Sequence, residues 1–231
     1  LSNEVFDLLV IGGGVTGACV VRDAALRGLT VALIEKNDFA HATSAHNSKL
    51  IHGGLRYLRN FELALVRESL RERRVWQRTA PHLVQPLPFL LPLEKADFAA
   101  RATLSAGLTL YDLLSFDRGW LPDPDQRLPG HSFLNKRAAI AREPSLDAPG
   151  FEGAFLYYDA QSYSPERLAL ECILDAVAHG AVAANRVAAE GLLVRNGAVE
   201  GARARDVITD STFDIPARTT LVAAGPWADI F

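Results

Sequence analysis

The chain has 231 residues, 49% of them hydrophobic and 22% charged, enough to bury the core of one large domain or two modest ones and too apolar for disorder. A net charge of −3 argues against a nucleic-acid binder held by bulk electrostatics, and two cysteines, Cys19 and Cys172, cannot build a disulfide framework. Both cysteines fall in helical patterns and read as small core residues of a reducing compartment.

In chain order, the first predicted element is a buried strand over the apolar run Val5 to Ile11. Gly12, Gly14 and Gly17 then make G-x-G-x-x-G, followed by an Ala- and Val-rich helical segment. A second apolar run, Thr30 to Ile34, ends at the acid Glu35, 21 positions after Gly14. A Gly-rich turn in an ordinary β-α-β unit is the alternative. Strand, helix, strand and acid in register favour a dinucleotide-binding unit. Gly12 permits the tight turn, Gly14 lets backbone approach a pyrophosphate, and Gly17 lets helix and strand pack closely. The helix N-terminus offers N–H groups and the positive dipole end to the pyrophosphate. Glu35 accepts from a ribose.

A polar stretch, Lys36 to Lys49, leads into LIHGGLRYL, Leu50 to Leu58. Leu63, Val66 and Leu70 predict a helix from Glu62 to Arg78, ended by Pro81. Between Arg56 and Arg78 stand seven arginines (56, 59, 67, 71, 73, 74, 78) against three glutamates (62, 68, 72). Such a helix suits either an anionic lipid surface or plain solvent. Pro81, Pro86, Pro88 and Pro92 predict short extended pieces with prolines at edges or ends. Ala96 to Leu114 reads as helix, a candidate membrane contact or a core element. Its apolar run, Ala102 to Leu114, has 13 residues and contains Asp112, short of the about 20 that span a bilayer. Asp117 to Pro129 is a Pro- and Asp-rich loop, and Asn135 to Glu143 a short helix stopped before Pro144. GFEGAFLYYDA, from Gly150, reads as strand. Ser164 as N-cap and Pro165 open a helix with the apolar stripe Ala169, Cys172, Ile173, Ala176 and Val177 and with Gly180 just past its end. Asn196-Gly197 marks a hairpin, and Thr219 to Gly225 a last buried strand. The fold class is α/β, with segments 1–80 and 150–231 forming a nucleotide-binding domain around an insertion, 81–149. The strand pattern at the start of the sequence leads to the expectation of no secretory signal. The lack of any Met and the end at Phe231, directly after a cofactor-contacting strand pattern, predict a fragment of a longer polypeptide, incomplete at its C-terminus.

Three further stretches are more specific: ATSAHNSKLIHGGLRYL (Ala42 to Leu58), YYDAQSYSPERLAL (Tyr157 to Leu170) and AAGPWADIF (Ala223 to Phe231). With the opening fingerprint, they make the chain resemble the FAD-dependent glycerol-3-phosphate dehydrogenases of the amino-acid-oxidase-like flavoprotein superfamily. The resemblance is strongest in residues 5–92 and weakest in 93–150. It implies a discontinuous Rossmann-like FAD domain of the GR2 type with an inserted α+β cap or substrate domain. It implies oxidation of glycerol 3-phosphate at C2 to dihydroxyacetone phosphate, hydride transfer to flavin N5, and electrons passed to membrane quinone, or to O2 in the oxidase branch. The FAD is expected to be held without a covalent link.

Residue by residue, the resemblance places Gly12, Gly14, Gly17, Glu35 and Lys36 at FAD. It places Thr43, Ser44, Ser48 and Lys49 in the loop that follows the cofactor toward the flavin, and Leu50, His52, Gly53 and Gly54 along the ring. Val187 falls where adenine meets backbone, and Ala224, Gly225, Pro226 and Trp227 match A-T-G-P-W. His52, Arg56 and Tyr57 match substrate-pocket residues: His52 as candidate base for the C2 hydroxyl, Arg56 as phosphate ligand, Tyr57 as lining. A structural histidine, a surface ion pair and simple packing are the respective alternatives. The chain departs from the family pattern at Ala45-His46-Asn47 and at Ala224. His41, His46 and His52 are not spaced as metal ligands, and no metal is expected. The resemblance further implies a cytoplasmic protein, peripheral on the inner face of the cell membrane, with a homodimer as one assembly. Another FAD oxidase or dehydrogenase of the superfamily, acting on an amino acid or 2-hydroxy acid, and a non-catalytic FAD-binding fragment are the alternative functions.

Overall fold

A computed structural model describes residues 5–94 and 98–230. In chain order its elements are β1 (Phe6–Ile11), α1 (Val15–Leu26), β2 (Val31–Ile34), β3 (Leu50–Ile51), α2 (Leu63–Thr79), β4 (Val84–Glu94), α3 (Phe98–Leu114), β5 (Ser132–Asn135), α4 (Lys136–Arg142), β6 (Phe151–Ser162), α5 (Pro165–Ala178), β7 (Val182–Ala184), β8 (Val187–Arg195), β9 (Ala198–Asp206) and β10 (Thr212–Val222). Contacts divide the chain into two compact units: residues up to Ser48 together with those from Ser164 onward, and Lys49–Tyr163.

The first unit carries a six-stranded sheet in the order β7-β2-β1-β10-β9-β8. β7, β2, β1 and β10 run parallel, and β8, β9 and β10 form an antiparallel ribbon. β10 serves both parts: Thr212–Pro216 pairs with β9, and Ala217 to Val222 with β1. Phe6, Leu9, Ile11, Ile34, Ala202 and Ile215 form one core cluster of this sheet. Helix α1 turns small residues inward, Gly17, Ala18, Val21, Ala24 and Ala25, and α1 and α5 are tied by Arg22 Nε to Asp175 Oδ2 at 2.5 Å. Cys19 and Cys172, one on each helix, form no disulfide and are half-buried and buried respectively. The hairpin turn has positive φ at Asn196 and Gly197, and Gly180 closes α5 at φ +94°. Both conformations suit the residues predicted there.

The second unit is α+β. Its sheet has the order β3-β6-β4, with β5 also on β6. Because β6 binds β3, β4 and β5, the unit boundaries fall at 48/49 and 163/164, not at 80/81 and 149/150 as the composition suggested. The proline-rich stretch is one strand, not several pieces. Pro86, Pro88 and Pro92 share one parity along β4, so their missing N–H groups lie on the side away from β6.

Other differences are local. Ser164 stands at the α5 cap position, but its hydroxyl meets Glu166 Oε1 at 2.7 Å instead of a backbone N–H. Val177 is exposed, and Leu168 takes its place in the stripe. The last strand begins at Thr212, and its buried residues are Ile215 and Ala217 rather than the exposed Thr219. Strand β5 was not anticipated. Ala96, in the expected start of α3, lies outside the described residues.

Candidate functional site

The first unit holds a cavity of about 620 Å³ where β1, β2 and β10 end. Its floor is backbone. Gly12, at φ +114°, lies so close to Ala223 that a Cβ would fall 2.5 Å from the Ala223 carbonyl oxygen. A Cβ on Gly17 would fall 1.9 Å from the Gly12 oxygen, so this glycine lets α1 sit directly on the turn. Gly14 caps α1 in an extended conformation without a side-chain hydrogen bond, and Gly14, Val15 and Thr16 bring the positive end of α1 to the cavity wall.

Glu35, at the end of β2, is fixed by two amides. Gly13 N–H donates to Oε2 and Asn37 N–H to Oε1, each at 2.8 Å. Each oxygen retains acceptor capacity toward a ligand hydroxyl. Lys36 stands with Nζ 4.8 Å from the Trp227 ring centroid, a cation–π pair between two cavity-lining residues. Ser44 Oγ accepts from Val15 N–H at 2.8 Å, leaving its own hydroxyl proton to donate. The departures at 45–47 brace this loop: Asn47 Nδ2 donates to the Thr43 and Ser44 carbonyls at 3.0 and 2.8 Å.

Among the cofactor residues expected from the sequence, Gly12, Gly14, Glu35, Lys36, Thr43, Ser44, Val187, Ala224, Gly225 and Trp227 line this one cavity. The Val187 N–H is committed to the Glu35 carbonyl at 2.9 Å, so any contact it makes with a ligand uses other atoms. Gly17 and Ser48 belong to the same unit without lining the cavity. Sequence reasoning missed Asn37, Glu190 and Gly191 in the wall. The last two sit where the β8–β9 pairing shifts register, an irregularity no residue pattern announces. The cradle fits an FAD dinucleotide: a turn that admits no side chain, a helix N-terminus, and an oriented carboxylate.

Lys49, Leu50, His52, Gly53, Gly54, Arg56 and Tyr57 belong to the second unit. Gly54, at φ +74°, turns the chain after β3. Its N–H donates to His52 Nδ1 at 3.1 Å. Arg56 Nη2 donates to the Tyr57 hydroxyl at 2.9 Å, and the guanidinium stands over that ring. Arg56, Tyr57, Arg59 and Asn60 line a cavity of about 410 Å³ rich in donors.

Behind this turn is a buried polar cluster that the sequence did not reveal. Asp159 on β6 and Arg73 on α2 are each 2% exposed and form an ion pair. Arg73 Nη2 also donates to Ser115 Oγ at 3.2 Å, and the Tyr111 hydroxyl donates to Asp159 at 2.8 Å. Burial, then the Asp159 charge, pushes the Tyr111 hydroxyl far up, so it stays a donor. Burial likewise lifts Tyr157 to about 12. Arg67 is forked onto Asp117 at 2.9 and 2.7 Å, and Arg74 reaches the same carboxylate at 3.2 Å. Three of the arginines of the basic helix thus serve internal ion pairs. Among the described residues, no group of three or more His, Cys, Asp or Glu could hold a metal ion, and no helix is long and apolar enough to cross a membrane.

The family profile described as FAD dependent oxidoreductase matches residues 7–231. A glycerol-3-phosphate dehydrogenase of Synechocystis is 42% identical over 99% of this chain and 40% of its own length. An alpha-glycerophosphate oxidase of Streptococcus pneumoniae is 40% identical over 99% of this chain and 37% of its own. The solved glycerol-3-phosphate dehydrogenase of Bacillus halodurans, complexed with FAD, is 32% identical with a TM-score of 0.73, covering 99% of this chain and 36% of that one. The chain therefore spans about two fifths of the length of the curated relatives it matches.

Proposed function

The chain belongs to the FAD dependent oxidoreductase family, and on that premise we propose that the protein oxidises glycerol 3-phosphate at C2 to dihydroxyacetone phosphate. The observation that carries the reading is the first unit's cavity, where the Gly12–Gly14 turn, the start of α1, Glu35 and the Ala223–Trp227 segment meet. The substrate is carried over from the names of the relatives. When bound, FAD supplies a hydride acceptor at N5.

In this reading the chain binds and orients. Amides at the start of α1 would receive the pyrophosphate, Glu35 would take ribose hydroxyls, and Lys36 and Trp227 would border the ligand. Thr43, Ser44 and Ser48 would offer hydroxyls to the cofactor, and the family resemblance assigns the segment from Lys49 to Gly54 to the flavin. Arg56, with Arg59 and Asn60, grips the phosphate dianion by charge-assisted hydrogen bonds. Tyr57 holds the Arg56 guanidinium, and His52 meets the C2 oxygen.

The test is the visible spectrum of the purified full-length protein. Acid precipitation should release a yellow chromophore into the supernatant, and anaerobic glycerol 3-phosphate should bleach the flavin of the intact protein. A colourless protein sinks the cofactor assignment. Bleaching by an amino acid or a 2-hydroxy acid instead sinks the substrate. We assign the electrons to quinone at the cytoplasmic face of the cell membrane. The exposed Arg59, Arg71 and Arg78 and the exposed aromatics Phe116 and Trp120 of the second unit support a peripheral contact there. Reoxidation by a soluble quinone faster than by O2, and co-sedimentation with anionic vesicles, are the expected results.

A further inference from the structure

We propose that Asp159 is a positioning residue for His52: through the Gly53–Gly54 turn it holds His52 with Nδ1 as acceptor and the proton on Nε2, so that His52 meets substrate as a hydrogen-bond donor. The role toward substrate rests on the reading above; the tautomer does not.

The Asp159 Oδ1 atom receives three donors from three different elements. They are Arg73 Nη1 from α2, the Tyr111 hydroxyl from α3 at 2.8 Å, and the Gly53 N–H at 3.1 Å. Two of the three are side chains buried to 2% exposure, so the oxygen cannot drift. The turn is also seated sterically. A Cβ on Gly53 would fall 2.2 Å from Leu70 Cδ2 and 2.3 Å from the Tyr111 hydroxyl, both held in the core. Fixing the Gly53 amide fixes the next peptide plane, and its neighbour Gly54 aims N–H at His52 Nδ1.

That last bond decides the chemistry. Nδ1 can accept only with a free lone pair, so the neutral imidazole carries its proton on Nε2. The residue is exposed, which leaves Nε2 to a ligand. An Nε2–H has no lone pair for the C2 hydroxyl proton. It stabilises negative charge on the C2 oxygen instead. The sequence suggested His52 as the base; this geometry makes it a donor to the C2 oxygen.

The experiment uses full-length, FAD-loaded protein labelled with 15N-histidine, the His52 signals being those lost in His52→Gln. Parent protein should show a protonated Nε2 and a bare Nδ1. A protonated Nδ1 overturns the proposal. Asp159→Asn or, if that variant does not fold, Tyr111→Phe should give mixed tautomers and lower kcat by up to about 10²-fold with KM nearly unchanged. Parental tautomer and kcat in both variants would remove Asp159 from this role. His52→Gln, which still donates, should reduce its flavin within about tenfold of the parent rate, whereas loss of a proton acceptor would slow it by ~10²–10⁴-fold and refute the donor role. If glycerol 3-phosphate fails to reduce even the parent, the substrate reading falls, and the nitrogen signals still decide the clamp.

Discussion

The two units build their sites from opposite materials. In the first, the working groups are backbone: a glycine turn, helix amides, and one acid held by two peptide N–H groups. In the second, a backbone turn is held by side chains from elsewhere in the chain, with Arg73 and Asp159 86 positions apart in sequence. A backbone site tolerates little change in shape but much in charge. A site held by a buried ion pair is sensitive to charge as well as to shape.

The largest expected effect is in the second unit. Arg73→Met keeps most of the volume and strips Asp159 of its counter-charge in the core. Removing one partner of a buried pair costs about 3–5 kcal/mol, to be read from the urea midpoint at constant m-value. A midpoint within error of the parent would mean that the pair is replaceable and the contrast false. Next is Gly17→Ala in the first unit. Its methyl must displace the Gly12 carbonyl, a backbone atom, so the turn shifts. Overpacking of this kind costs about 1–3 kcal/mol, and flavin content should fall with it. Full flavin occupancy would show that the turn can yield.

Arg56→Lys sharpens the comparison, since it keeps charge and loses the planar fork. One lost charge-assisted bond should weaken glycerol 3-phosphate binding about tenfold to hundredfold in Kd, with flavin content intact. An unchanged KM returns Arg56 to the surface. The smallest effect is acid sensitivity. The Arg67 hydrogen bonds, then the nearby Arg74 charge, hold the Asp117 carboxyl below its ordinary value. Its folded pKa is therefore depressed, so its stabilisation is complete above the unfolded value of about 3.9 and is lost as pH falls through the folded one. Asp117→Asn should flatten the acid limb of the stability curve by about 1 kcal/mol or less, Arg67 being partly exposed. A parental acid limb in the variant would assign the loss to other carboxylates.

The same contrast explains what could be read in advance. A backbone site needs particular residues at fixed spacing, so Gly12, Gly14, Gly17 and Glu35 announced the cavity, and the strand and helix around them followed from periodicity. The polar cluster sent no such signal. Arg73 and Gln77 continue the buried face of α2 after Val66 and Leu70, but a charge at a core position looks like solvent to a pattern of apolar spacing. The unit boundaries were misplaced because strand pairing across residues 50–51 and 151–162 is non-local, and composition records nothing of it.

Strand β4 has a consequence for self-association. Among the described residues it pairs only with β6, which leaves an eleven-residue border, the kind of surface on which a neighbouring molecule can add a strand of its own. At Pro86, Pro88 and Pro92 that newcomer would find ring methylenes where it needs donors. Three imino acids thus weaken this border as a template for an intermolecular sheet.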